Sequence, residues 1–174
     1  MPTYDIAVAY QFPGDRHHSD FETWKLPLST TVALEVSLND VVCEATMRPL
    51  KTGASVSIRV CSLEDIIAEK LRALLQQPIR GRHRKQDVYD IARMTREYAN
   101  SIDKRKIARF LIEKAKVRDI TPSRRSFNDE IRSYAAQDYD ELEALFGESN
   151  PGFISFDDAW QEVVSLVSSL DIPA

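Results

Sequence analysis

The sequence contains no run of about 18 apolar residues, so it offers no helix expected to cross a membrane. Residues 1–20 lack the charged start, apolar centre and small-residue cleavage site of a secretory signal, and the expected compartment is the cytoplasm. Cysteine is scarce. Cys43 and Cys61 have no CxxC or CxxxC spacing, which argues against a disulfide framework or a cysteine-based zinc site and predicts two buried thiols. His17 and His18 are adjacent but have no third spaced ligand nearby, so they read as loop polarity and not as a metal site. Excess positive charge is also missing: 27 acids against 23 lysines and arginines give −4, which argues against a protein that coats nucleic acid through its overall field.

What is present has the composition of an ordinary globular protein: 43% of residues are hydrophobic and 29% charged, enough apolar surface for one sizeable core or two small ones. Tyr4, Ile6, Val8 and Tyr10 alternate with Asp5, Ala7, Ala9 and Gln11, the period of a half-buried strand. A second strand is expected at 21–28. A third is expected at 31–38, with Val32, Leu34, Val36 and Leu38 on one face and Glu35 the only acid on the other. After a turn centred on Gly53, Val56, Ile58 and Val60 mark a further strand. At Ser62 the period changes to about 3.6, with Ser62 as N-cap and acids in the first turn; Pro78 is expected to stop that helix. Helices are expected next at 85–98, at 103–116, within 128–146, and at 156–170 with Ser155 as N-cap and Asp158 at the capping-box position. The fold class is α+β: antiparallel or mixed strands in a part spanning 1–61, then a helical part spanning 62–174.

Charge is unevenly placed. Between Lys70 and Arg96 lie Lys70, Arg72, Arg80, Arg82, Arg84, Lys85, Arg93 and Arg96, with only Asp87 and Asp90 as acids. On a helical wheel, Leu63, Ile66, Ile67, Leu71 and Leu74 form one apolar arc, and Asp65, Glu69, Arg72 and Gln76 form the opposite, solvated face. Lys70 falls inside the apolar arc. In the next helix Val88, Ile91, Met94 and Tyr98 form the buried stripe, and Asp87 falls inside it with Asp90 on its flank. A short connection makes consecutive helices neighbours, so Lys70 and Asp87 are expected to share one space. Two readings stand side by side: a buried ion pair that locks two helices together, or a polar cleft in which a lysine meets phosphate oxygens and an aspartate orients it or acts on a substrate hydroxyl.

The strings SLEDIIAEKLRALL and RHRKQDVYDIARM resemble the motif region of the AbiEii/AbiGii nucleotidyltransferase toxins of abortive-infection toxin–antitoxin pairs. The matching residues are Glu64, Lys70, Leu71, Ala73 and Leu74, then Arg84, Asp87, Tyr89 and Asp90; residues 76–83 look like an insertion, and Gln86 stands where the family often has arginine. The resemblance implies a polymerase-β-like nucleotidyltransferase fold and transfer of a nucleotide from an NTP to an RNA acceptor with Mg²⁺, with a cognate antitoxin as partner and no membrane. It implies Lys70 and Asp87 as catalytic residues, with Arg84 and Asp90 as close supports, Arg82 and Lys85 as nucleotide- or RNA-binding neighbours, and Glu35 as a third acid matched by position alone. The family's Gly-Ser or Gly-Thr signature, with Asp-x-Asp about ten residues later for the metals, has no counterpart at Gly14, Gly53, Gly81, Gly147 or Gly152. Asp138-Tyr139-Asp140 has the spacing but reads as a solvated helix surface. The alternative to a transferase is therefore a non-catalytic module that binds RNA or the antitoxin.

Overall fold

A serine and a glycine delimit the longest helix among the described residues. In the computed structural model, which describes residues 3–9, 31–37, 40–49, 56–81, 83–146 and 152–174, helix α1 runs over Leu63–Arg80. Ser62 Oγ accepts the Asp65 N–H at 3.2 Å and so satisfies one of the unpaired N–H groups of the first turn. At the other end Gly81 adopts φ 57°, and its N–H bonds to the Gln77 carbonyl. The helix therefore passes through Pro78, which was expected to end it. Proline removes a single bond this late in a helix, and it is the left-handed residue that turns the chain away.

The chain divides into two compact units, 1–40 and 41–174. In the first, β1 (Thr3–Ala9) pairs antiparallel with β2 (Thr31–Ser37), in register from Thr3 opposite Ser37 to Ala9 opposite Thr31. His17, His18, the strand expected at 21–28, the Gly53 turn and Arg82 lie outside the described residues. The second unit opens with an antiparallel hairpin of β3 (Ala45–Pro49) and β4 (Ser57–Cys61), with Ala45 opposite Cys61. Six α-helices complete it among the described residues, with one 3-10 turn at Arg124–Ser126: α1, α2 (Lys85–Glu97), α3 (Lys104–Lys116), α4 (Asp129–Ala136), α5 (Tyr139–Phe146) and α6 (Phe156–Ser169). The architecture is α+β, as the change of period predicts.

Helix α1 is the centre of the second unit and packs against α2, α3 and α4, while α6 packs on α2. Ile67, Leu71 and Leu74 are fully buried, as are Val88 and Ile91 from α2, Ile107 and Leu111 from α3, and Val163 from α6. Each such side chain contributes about 1.5–3 kcal/mol of hydrophobic stabilisation. Tyr98, expected in the stripe of α2, is exposed as the C-cap residue just past the end of that helix. Ser155 caps α6 as expected: its Oγ accepts the Asp158 N–H at 3.2 Å and donates to Asp158 Oδ2 at 2.9 Å. Asp138 and Asp140 are exposed, but Tyr139 between them is buried and donates its hydroxyl to the Ile154 carbonyl.

The face of α1 expected to be solvated is not. Asp65 is 1% and Arg72 5% exposed, and Gln76 is buried with them. Helix α3 lies on this face and brings Lys114, itself 4% exposed, to 2.7 Å from Asp65 Oδ1 and 3.7 Å from Glu69 Oε2. Lys114 also donates to the Val41 carbonyl, and Arg72 binds Glu69 and Gln76. A wheel drawn from one segment reads charge as water-facing because the compensating lysine stands far along the chain, on a different helix. The same carboxylate organises the base of the hairpin, where Asp65 Oδ1 accepts the Cys43 N–H at 3.4 Å.

Cys43 and Cys61 are free thiols, half-buried where full burial was expected. Burial, reinforced by a hydrogen bond with Glu113, pushes the Cys43 thiol up to about 11. Because the folded value lies above the unfolded one, the fold favours the protonated thiol; this stabilisation is present below pH 9 and is lost as the pH rises towards 11. Iodoacetamide at pH 8 is expected to label Cys43 at least about tenfold more slowly in the native protein than in urea, as read by mass spectrometry. Lys114→Met is expected to destabilise the protein by about 3 kcal/mol or more in urea denaturation, since it strands a buried carboxylate, and Lys114→Met/Asp65→Leu is expected to recover much of that loss.

Candidate functional site

Lys70 lies one turn after Ile66 and one turn before Leu74, so α1 carries its side chain towards α2. There the ammonium nitrogen meets two carboxylates, Asp87 Oδ1 at 3.0 Å and Asp90 Oδ2 at 2.7 Å. The spacing of three residues puts both aspartates on one face of α2. They differ in access. The side chain of Asp87 is 5% exposed and that of Asp90 41%, with Lys70 between them at 21%. The shared space expected of Lys70 and Asp87 is therefore real, and it opens to solvent on the Asp90 side.

Arg84, the residue before α2, closes the cluster from the loop. Its Nε is 3.1 Å from Asp87 Oδ2, but the approach is out of line for a hydrogen bond, and Oδ2 accepts none. Burial alone would lower the lysine pKa. The charge of Asp87, hydrogen bonds to Asp90 and Asp87, and the charge of Asp90 together outweigh it and hold Lys70 above the usual lysine range. Lys70 is thus a permanent cation. An ammonium has three N–H donors and the aspartates take two of them, so one direction is left for a further acceptor.

Lys85 binds Glu141 and thereby ties the start of α2 to α5. The His83 ring stacks on Tyr134 of α4, with centroids 6.0 Å apart. Glu35 lies opposite Asp5 in the β1–β2 ladder, in the other compact unit. Arg82 lies outside the described residues. Among the described residues no three of His, Cys, Asp and Glu converge on a metal position. The oxygens of Asp87 and Asp90 are bridged by an ammonium that would repel a divalent ion, so these carboxylates do not fit the Mg²⁺ that the resemblance implies.

One polar residue near the cluster was not singled out from the sequence. Gln77 stands two turns after Lys70 and is 1% exposed, with neither amide atom hydrogen-bonded. The spacing that singles out Lys70 holds for Gln77 too. The signal was present, but glutamine carries no charge to draw notice.

The two aspartates should separate in stability measurements. Asp87→Ala is expected to cost about 2–4 kcal/mol, because it leaves a half-buried ammonium short of its most deeply buried partner. Asp90→Ala, at the wet edge, is expected to cost less than about 1 kcal/mol. Urea denaturation at neutral pH checks both.

Comparison with known proteins finds no match among curated proteins and none among solved structures. The family described as nucleotidyl transferase AbiEii toxin, Type IV TA system, matches residues 4–162 and so reaches from β1 into α6, far beyond the segment around Lys70. That family implies a nucleotidyltransferase fold. With the greater part of its length matched, this chain belongs to the AbiEii nucleotidyl transferase toxin family.

Proposed function

We propose that the chain, as the toxin of its toxin–antitoxin pair, transfers a nucleotide from an NTP to an RNA acceptor in the cytoplasm, with Lys70 and Asp87 at the centre of the reaction. In such a transfer an acceptor hydroxyl oxygen attacks the α-phosphorus and its proton passes to solvent, the bond from that phosphorus to the pyrophosphate oxygen breaks, and pyrophosphate leaves with the electron pair. The observation that carries the reading is the geometry of Lys70: a permanent ammonium, fixed by a buried aspartate, with an N–H to spare at an opening to solvent. Such a group neutralises charge on phosphate oxygens without having to be ordered first. Asp87 positions Lys70, and Asp90 is the partner that an entering phosphate displaces. Arg84 adds a second cation. Lys85, the first residue of α2, and Arg82, close to it in sequence, are candidates to contact RNA, and Glu35 stays a candidate acid by position.

A non-catalytic module that binds RNA or the antitoxin is the second reading. It is favoured by the charge balance at the cluster, where two aspartates offset Lys70 and Arg84.

Incubation with Mg²⁺, each α-labelled NTP in turn and a mixed RNA pool tests the two. Labelled RNA is expected with the wild type, and a loss of at least about 100-fold is expected with Lys70→Ala. An unlabelled pool, combined with RNA binding that weakens steeply with salt, would instead establish the second reading.

A further inference from the structure

Besides facing Asp87 Oδ2 through Nε at 3.1 Å, Arg84 lines a small cavity of ≈ 30 Å³ at the end of α1, together with Ala73, Gln76, Gln77 and Arg80. The cavity has room for one water molecule. Gln77 is 1% exposed, and neither its Nε2 nor its Oε1 bonds to another protein atom. A buried amide left unpaired at both ends bears the full cost of losing its hydration, so a partner is expected wherever the packing leaves room for one. That partner has to donate as well as accept, because Oε1 offers only lone pairs and Nε2 only hydrogens. Guanidinium groups only donate, and an anion only accepts. Water does both, and it needs no unbalanced charge in the lining.

We infer that the cavity is a site for one ordered water, held by the Gln77 amide and shared with Arg84, which makes Gln77 a positioning residue for the contact between Arg84 and Asp87. The carbonyl and one N–H of a primary amide point the same way, so a single water donates to Oε1 and accepts from Nε2. Its second lone pair accepts from Arg84, whose guanidinium carries several N–H donors and turns Nε towards Asp87. The consequence lies in Arg84. Its side chain is 52% exposed, and an arginine in solvent keeps many rotamers open unless something fixes it. A water anchored on a buried amide does so at small entropic cost, and it holds the guanidinium beside the carboxylate that orients Lys70. The water site is independent of nucleotide transfer; only its use in orienting Lys70 for phosphate rests on the proposed reaction.

Solution NMR on the full chain, without nucleotide or RNA and at a pH where amide exchange is slow, tests the site. Cross-relaxation between water and the Gln77 Nε2 hydrogens, with the sign of a long-lived bound water, is expected in the wild type. It is expected to weaken in Arg84→Gln, a change at an exposed side chain. In Gln77→Met the Arg84 Nε–H is expected to exchange with solvent about fivefold faster than in the wild type, the size of one net hydrogen bond. Should Gln77→Met fail to fold, the wild-type and Arg84→Gln spectra decide. Absence of the cross-relaxation in the wild type would overturn the site. Unchanged Gln77 signals in Arg84→Gln, or an unchanged Arg84 exchange rate in Gln77→Met, would overturn the positioning role. A chain that shows these signatures and transfers no nucleotide would keep the water and lose only the reaction it serves.

Discussion

The arrangement of the second unit depends on one constraint: α1 is buried around most of its girth while carrying charges on two opposite faces. Lys70 on one face and Asp65 on the other can be enclosed only if neighbouring helices bring opposite charges to them. Helix α2 brings Asp87 and Asp90 to the first, and α3 brings Lys114 to the second. These contacts fix rotation as well as proximity. Turning α1 by one residue, about 100°, would carry both charges away from their partners, whereas an all-leucine helix would tolerate several settings.

The two ion pairs are not equivalent, and the difference separates scaffold from site. Lys114 and Asp65 are sealed at 4% and 1% exposure and hold the start of α1, the end of α3 and the hairpin base together. Lys70 keeps one sealed partner and one wet partner. A group held rigidly on one side and exchangeably on the other is oriented in advance and still open to a ligand, which is the condition under which a fixed charge is useful in a reaction.

Much of this was legible in the sequence because it rests on period and spacing. The alternations at residues 4–10 and 31–38, the capping serines Ser62 and Ser155, and the meeting of Lys70 with Asp87 are all local patterns, or one short connection apart. What was not legible depends on partners distant in the chain. Asp65 and Arg72 read as the wet side of α1 because nothing in that segment points to Lys114 on α3. Pro78 misled for a different reason: the rule that proline ends helices concerns the helix interior, and here it sits in the last turn, where Gly81 is the true stop. Gln77 was overlooked because an uncharged residue on a buried stripe raises no alarm, although an unpaired amide is nearly as anomalous there as a charge.

The β3–β4 hairpin is fastened to the helices at its base. Residues 46–49 and 56–60 are exposed, including Met47, Ile58 and Val60, while the base is tied by Lys106 to Glu44, by the Ser62 N–H to the Glu44 carbonyl, and by the Lys114 and Asp65 contacts. Two strands alone are marginally stable in water. The hairpin is therefore a dependent of the helices. Its seat is shared by two helices, the start of α1 through Ser62 and Asp65 and α3 through Lys106 and Lys114, so loosening α3 would leave the strands held by α1 alone while the packing between α1 and α2 stayed undisturbed.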